Sequence, residues 1–248
     1  MARKKIVYVI VEGPSDEDAL GVVLNQLFDK NEVHIEVCHC DITSDRGTTV
    51  NNICDKIGKL IKQYAKDHSF KPEHFQQIIH LTDTDGVYIP KENIVLNTEA
   101  EEPLYSLTAI ETWNPDGIAY RNQMKAAVLN RLISTSSVWR VPYRIYYMSC
   151  NLDHVLYNKL NSSDEEKEAD SYAFQKKYAR DPEGFRDYIC GSDFSVVVGY
   201  KESWKFIQEP LRSLERYTNF GLALPEAKPK AQENMTETSA LIASSSSG

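Results

Sequence analysis

The stretch IVYVIVEGPSDEDAL, residues 6–20, constrains the fold more than any other part of the chain. Six apolar residues in a row, 6–11, stop at Glu12-Gly13-Pro14, and a helical pattern follows. A short apolar run closed by Gly-Pro reads as a buried strand. Ser15, with Asp18 three residues on, reads as a helix N-cap in an acidic version of the capping box. Glu12 is therefore expected at the carboxyl end of a buried strand and just ahead of a helix. In an open parallel sheet that edge is where ligands bind.

The pattern then repeats. Ala19, Leu20, Val23, Leu24 and Leu27 share one helical face within residues 15–30. Val33, Ile35 and Val37 alternate with polar residues, as in a strand with one buried face. The loop 43–49 is polar and suited to an anion, with Arg46 as its phosphate-binding candidate. A second helix is expected over 50–67, with Ile53, Ile57, Leu60, Ile61 and Tyr64 at helical spacing, and Pro72 follows it. QQIIHLTDTDG reads as a third strand that ends on Asp83 and Asp85. The order β-α-β-α-β predicts an α/β fold with an open, mainly parallel sheet flanked by helices.

Residues 87–140 read as a partly helical insertion over one end of the sheet, with Arg121, Lys125 and Arg131 on the surface of its helix. VPYRIYYMSC is a fourth strand, on which Tyr143, Tyr146 and Tyr147 are core and sheet residues. Asn151 caps the helix after it. Residues 156–221 read as a helical C-terminal extension, with surface helices over 163–190 broken at Pro182 and a closing helix over 202–220 interrupted at Pro210. From residue 222 the composition turns to Pro, Lys, Glu, Thr and Ser, which predicts a disordered tail.

Composition narrows the class. At 42% hydrophobic and 26% charged the chain reads as a globular protein, and it holds no apolar run long enough to span a membrane. The odd count of five cysteines is no disulfide framework and points to a reducing cytoplasm. Cys38 and Cys40, with His34 on the same strand face, lack the second ligand pair that a closed zinc site needs, so they read as structural thiols. A net charge of −8 gives no overall attraction to nucleic acid, which would need a local basic surface.

The chemistry-bearing residues stand at strand ends. Glu12, Asp83 and Asp85 repel one another unless a cation lies between them. Oxygen-only ligands suit Mg²⁺ or Mn²⁺. Asp16 and Asp18 add negative potential at the helix start, and Thr82 and Thr84 are placed to orient the aspartates. After the fourth strand, Asp153 is a further metal-ligand candidate. His154 is a candidate general acid or phosphate contact, with a plain surface or core histidine as the alternative. Arg121 and Lys125, from the insertion, are candidates to hold a phosphate backbone.

VEGPSDEDAL resembles the first motif of the Toprim domain, and LTDTDG resembles its Asp-x-Asp motif. The resemblance covers roughly residues 4–155, with the insertion, and leaves out the last third. It implies a Rossmann-like Toprim domain over 1–155, Glu12 as the acid/base residue, and Asp83 and Asp85 as holders of Mg²⁺. Gly86 is followed by Val-Tyr-Ile-Pro and lacks the Gly-Glu continuation of topoisomerases. In size and architecture the chain is similar to stand-alone Toprim nucleases of OLD-like and abortive-infection systems. That likeness implies a nuclease acting on DNA or RNA, tRNA included, in anti-phage defence, with an ATPase partner protein and with homo-oligomerisation left open. The alternative is a non-catalytic docking or regulatory subunit of such an ATPase complex.

Overall fold

Two periods of hydrophobicity, one continuous and one helical, build the architecture. The computed structural model describes residues 4–28, 33–45 and 47–226. Arg46 and residues 227–248 of the expected tail lie outside the described residues, whereas the first residues of that tail are ordered: Ala223 is buried in the core and Leu222 and Leu224 pack against it. The first strand, β1 (Lys5–Val11), is buried at every position after Lys5. A strand covered on both faces has no need to alternate, which is why its sequence is an unbroken apolar run. Helix α1 (Pro14–Leu27) follows, then β2 (Val33–His39), α2 (Ile53–Asp67) and β3 (Phe75–Asp83). After a connecting region come α3 (Pro115–Ile133), a short β7 (Ser137–Val138) and β8 (Val141–Met148).

The main sheet has the order β2-β1-β3-β8-β7. β1, β2, β3 and β8 run parallel, and only the two-residue β7 is antiparallel. Val7, Val9 and Val11 point to one face and pack with Leu20, Val23 and Leu24 of α1. Ile6, Tyr8 and Ile10 point to the other and pack with Ile53, Ile57 and Ile61 of α2 and with Val128, Leu129 and Leu132 of α3. The chain leaves β1 for β2 on one side and returns to β3 on the other. The crevice between the carboxyl ends of β1 and β3 is thus the topological switch point.

Three expectations need refinement. The cap of α1 is Gly13, and Pro14 takes the first helical position, where a missing N–H costs nothing. The acid that closes the turn is Asp16, whose Oδ2 accepts the Gly13 N–H at 2.9 Å. Residues 87–140 form more than an insertion: α3 is the crossover helix that carries the chain from β3 to β8, and it contributes core residues. Ahead of it lies a second sheet of three short strands, β4 (Ile94–Leu96), β5 (Leu104–Tyr105) and β6 (Ile110–Thr112), in the order β4-β6-β5.

The C-terminal part is helical, with α4 (Leu152–Tyr157), α5 (Asp164–Tyr178), α6 (Pro182–Gly191) and α7 (Tyr200–Ile207). It is also a layer of the core. Phe174, Tyr178, Phe185 and Ile189 are buried with α1, and Trp204 and Ile207 are buried on the α2/α3 face. The closing helix ends at Ile207, and residues 208–219 continue without a long helix. This return segment straps the carboxyl edge of the sheet. Ser149 N–H donates to the Tyr217 carbonyl at 2.8 Å, and Cys150 N–H donates to the Ser213 carbonyl at 2.9 Å. Among the described residues no helix is long and apolar enough to cross a membrane.

Candidate functional site

The switch-point crevice brings Glu12 and Asp83 together. Glu12 extends from the end of β1, and its Oε1 gathers three donors: the Thr82 hydroxyl at 2.6 Å, the Asp83 amide at 3.1 Å and the Thr43 hydroxyl at 3.2 Å. Thr82 and Thr43 are both buried. Alternation along β3 explains the layout. Thr82 faces Glu12 on the α2/α3 side, and Asp83 turns to the opposite face, where α1 and α4 begin.

Asp85 sits in a tight turn. Its φ is +49° and that of Gly86 is +66°. The turn is tied to the strand edge by Thr84 N–H on the Met148 carbonyl (3.0 Å) and Asp85 N–H on the Cys150 carbonyl (2.8 Å). Thr84 faces away from the aspartates and donates its hydroxyl to the Ser213 carbonyl of the strap at 2.8 Å. Of the two threonines only Thr82 orients a carboxylate, and that carboxylate belongs to Glu12.

Lys125 fills the space between Glu12 and Asp85. Its Nζ lies 2.5 Å from Asp85 Oδ2 and 3.6 Å from Glu12 Oε1, and its side chain is only 2% exposed. Arg121, one helical turn earlier, donates to the Asp85 carbonyl at 2.8 Å and to the Tyr105 hydroxyl at 2.9 Å. Both cations expected to reach a phosphate backbone are thus directed inward, at the turn of Asp85. Periodicity held the signal for Lys125. Ile118, Asn122, Lys125, Leu129 and Leu132 form one stripe at helical spacing, and all are buried. A lysine on an apolar stripe needs a buried partner.

The electrostatics follow from this division. Burial disfavours the charge on Asp85, but the Lys125 ammonium and the Arg121 guanidinium outweigh it and hold the carboxyl below its usual value. Burial lifts Glu12 to about 7 against the pull of Lys125, with the charges of Asp85 and Asp41 adding to the rise. Asp83 is pushed well up by burial, then by Glu12, Asp16 and Asp85. Burial raises Asp16 to about 6, against the hydrogen bond from Gly13. Asp153, in the first turn of α4, also rises to about 6, chiefly through burial.

All of these acids except Asp85 border one open cleft of about 620 Å³, lined by Glu12, Asp16, Asp18, Asp41, Asp83 and Asp153 together with Lys167. His154 stands apart from it. The ring is buried, its Nδ1 has no partner among the described residues, and burial followed by the charge of Arg216 lowers its pKa to about 4. At neutral pH it is an uncharged core histidine. Asn151 is the cap expected for α4, its Oδ1 accepting the His154 N–H at 2.8 Å.

Comparisons of the chain with protein-family models, with curated proteins and with solved structures find no match. The site is therefore read from its own geometry.

Among the described residues, no group of three or more His, Cys, Asp or Glu side chains is placed to hold a metal ion. A three-carboxylate cage is not assembled, because Asp85 is paired with Lys125. The donor set still suits a hard cation in a smaller form. Mg²⁺ commonly takes one or two carboxylates and keeps its remaining waters. Glu12 and Asp83 supply two carboxylates at the cleft, and no described donor forms a hydrogen bond to the Asp83 carboxylate. The four contacts to Glu12 all reach Oε1, which leaves Oε2 for a ligand.

Proposed function

We propose that this chain is a Toprim-like, metal-dependent phosphodiesterase that hydrolyses nucleic acid at the carboxyl edge of β1 and β3. One observation carries the reading: Glu12 and Asp83, from the ends of the first and third strands, line the same cleft at the switch point. Glu12 and Asp83 are the residues that would hold Mg²⁺ or Mn²⁺. When bound, such an ion polarises a phosphoryl oxygen and makes water nucleophilic near neutral pH.

The chain's own residues supply the rest. Thr82, Thr43 and the Asp83 amide fix Glu12 in one orientation. Where Glu12 does not ligate the ion, its carboxyl, raised to about 7 by burial, exchanges its proton near neutral pH and is suited to take one from the attacking water or return one to the leaving oxygen. The acidic cleft repels a polyanion, so substrate binding is expected to require a divalent cation. The test is incubation of the full chain with plasmid DNA and total RNA in Mg²⁺ or Mn²⁺, beside Glu12→Gln and Asp83→Asn. Cleavage by wild type and its loss in both variants is expected. Undiminished cleavage by either pure variant overturns the mechanism.

A second reading is a non-catalytic docking or regulatory subunit of an ATPase complex, as the resemblance also allows. The absence of a three-ligand metal group among the described residues favours it. Thermal melts with Mg²⁺ or Mn²⁺ separate the two, since a chain whose melting temperature ignores divalent ions supports the second.

A further inference from the structure

The three strand-end acids do not share one environment. Asp83 opens to the cleft, whereas Asp85 is bonded to an ammonium that solvent barely reaches. We infer that Lys125 is the resident second cation of the site, and that by closing the Asp85 side it limits the site to one divalent ion, held by Glu12 and Asp83. The inference rests on the metal-binding reading above and goes beyond it, because it fixes the stoichiometry and names the residue that sets it.

Among the three strand-end acids, Lys125 offsets the charge on the Asp85 side and leaves Glu12 and Asp83 to face the cleft. Without the ammonium the Asp85 carboxylate loses its bonded cation, and a second divalent ion is attracted there.

Packing makes the ammonium a fixture. Lys125 projects from the middle of α3, whose next turn is anchored by Val128 and Leu129 in the core. Its target is equally fixed. The Asp85 backbone is held by Arg121 on its carbonyl and by Cys150 on its amide. Arg121 is itself set by the Tyr105 hydroxyl and by Asn122 Oδ1, at 2.8 Å from Nη2. The turn is closely packed as well: a Cβ on Gly86 would lie 2.6 Å from Leu214 Cδ2 and 3.0 Å from Ile110 Cδ1.

The experiment is a Mn²⁺ titration of the full chain, followed by electron paramagnetic resonance and calorimetry. Wild type is expected to bind one Mn²⁺ with no spin coupling to a second, and Lys125→Arg is expected to do the same. Lys125→Gln, which keeps a hydrogen-bond donor and loses the charge, is expected to bind two. Asp83→Asn is expected to lose the single ion, and Asp85→Asn to keep it. A second, spin-coupled Mn²⁺ in wild type overturns the inference even if Lys125→Gln fails to fold. So does a folded Lys125→Gln that still binds one. If wild type binds none and Lys125→Gln binds one, the metal-dependent function is overturned and Lys125 stands as the blocking cation. If neither binds, both proposals fall.

Discussion

Glu12 makes stability depend on pH in a direction opposite to that of an ordinary salt-bridged carboxylate. Its pKa rises from 4.5 to about 7 on folding, because burial outweighs the pull of Lys125. A raised acid is one that the native state prefers protonated. The folded state carries no penalty from this group below pH 4.5, loses stability as pH climbs from 4.5 to 7, and carries the full penalty above 7. The gap amounts to about 3 kcal/mol at 1.36 kcal/mol per pH unit. Glu12→Gln removes the titration and keeps an oxygen to accept from Thr82 and the Asp83 amide. At pH 8 in EDTA the variant is therefore expected to be more stable than wild type by up to about 3 kcal/mol, or roughly 6–12 °C in Tm for a chain of this length. At pH 4.5 the two are expected to melt together. Thermal melts by circular dichroism at half-unit pH steps, each bracketed by a reversibility check, measure the difference. A gap between the two chains that is flat across this range, or one that shrinks as pH rises, refutes the assignment of an uncompensated buried charge to Glu12. Adding Mg²⁺ at pH 8 is expected to raise the wild-type Tm and to leave Glu12→Gln nearly unmoved.

Lys125→Ala strands Asp85 and is expected to cost about 3–5 kcal/mol in urea denaturation, whereas Asp85→Asn combined with Lys125→Met, which removes both charges, costs far less; equal losses would count against the pairing. Gly86→Ala adds a methyl into Leu214 and Ile110 at a positive φ, so a loss of about 1–3 kcal/mol is expected in the same assay, and a neutral outcome would show that the turn yields. Tyr143→Phe leaves His80 Nδ1, now 2.7 Å from the Tyr143 hydroxyl, without its partner inside the core, and about 1–3 kcal/mol should be lost; an unchanged Tm would mean the contact contributes nothing.

The main sheet was legible because its central strands are covered on both faces, and continuous apolar runs mark such strands without reference to their partners. β1 and β3 announce themselves in this way, and α1 and α2 do so through spacing. The cap of α1 misled because Ser-x-x-Asp fits the capping pattern. Pro14 carries the stronger constraint, since a fixed φ and a missing N–H favour the first helical position and push the cap back to Gly13. In the second sheet β4 shows as the short apolar run of KENIVLN, whereas β5 and β6, of two and three residues, are too short to display a period. The convergence of Glu12 and Asp83 was readable from their positions after apolar runs. The partner of Asp85 is not legible: Lys125 reads with Arg121 and Arg131 as surface charge, although it lies on a buried helical stripe between Asn122 and Leu129. The strap over 208–219 left no local trace: its hydrogen bonds join backbone groups far apart in sequence, and such bonds leave no composition behind.

That strap has a consequence for how the protein is made. Thr84, beside the Asp-Gly turn, bonds to the carbonyl of Ser213, and Cys150 bonds there as well. A ribosome-bound chain that has not yet released residue 213 lacks the clasp that fixes this corner, even with every acidic residue already translated. That corner thus stays unclasped until residue 213 has left the exit tunnel, a delay that can be timed by arresting synthesis at successive lengths and probing residues 83–86 for protease protection.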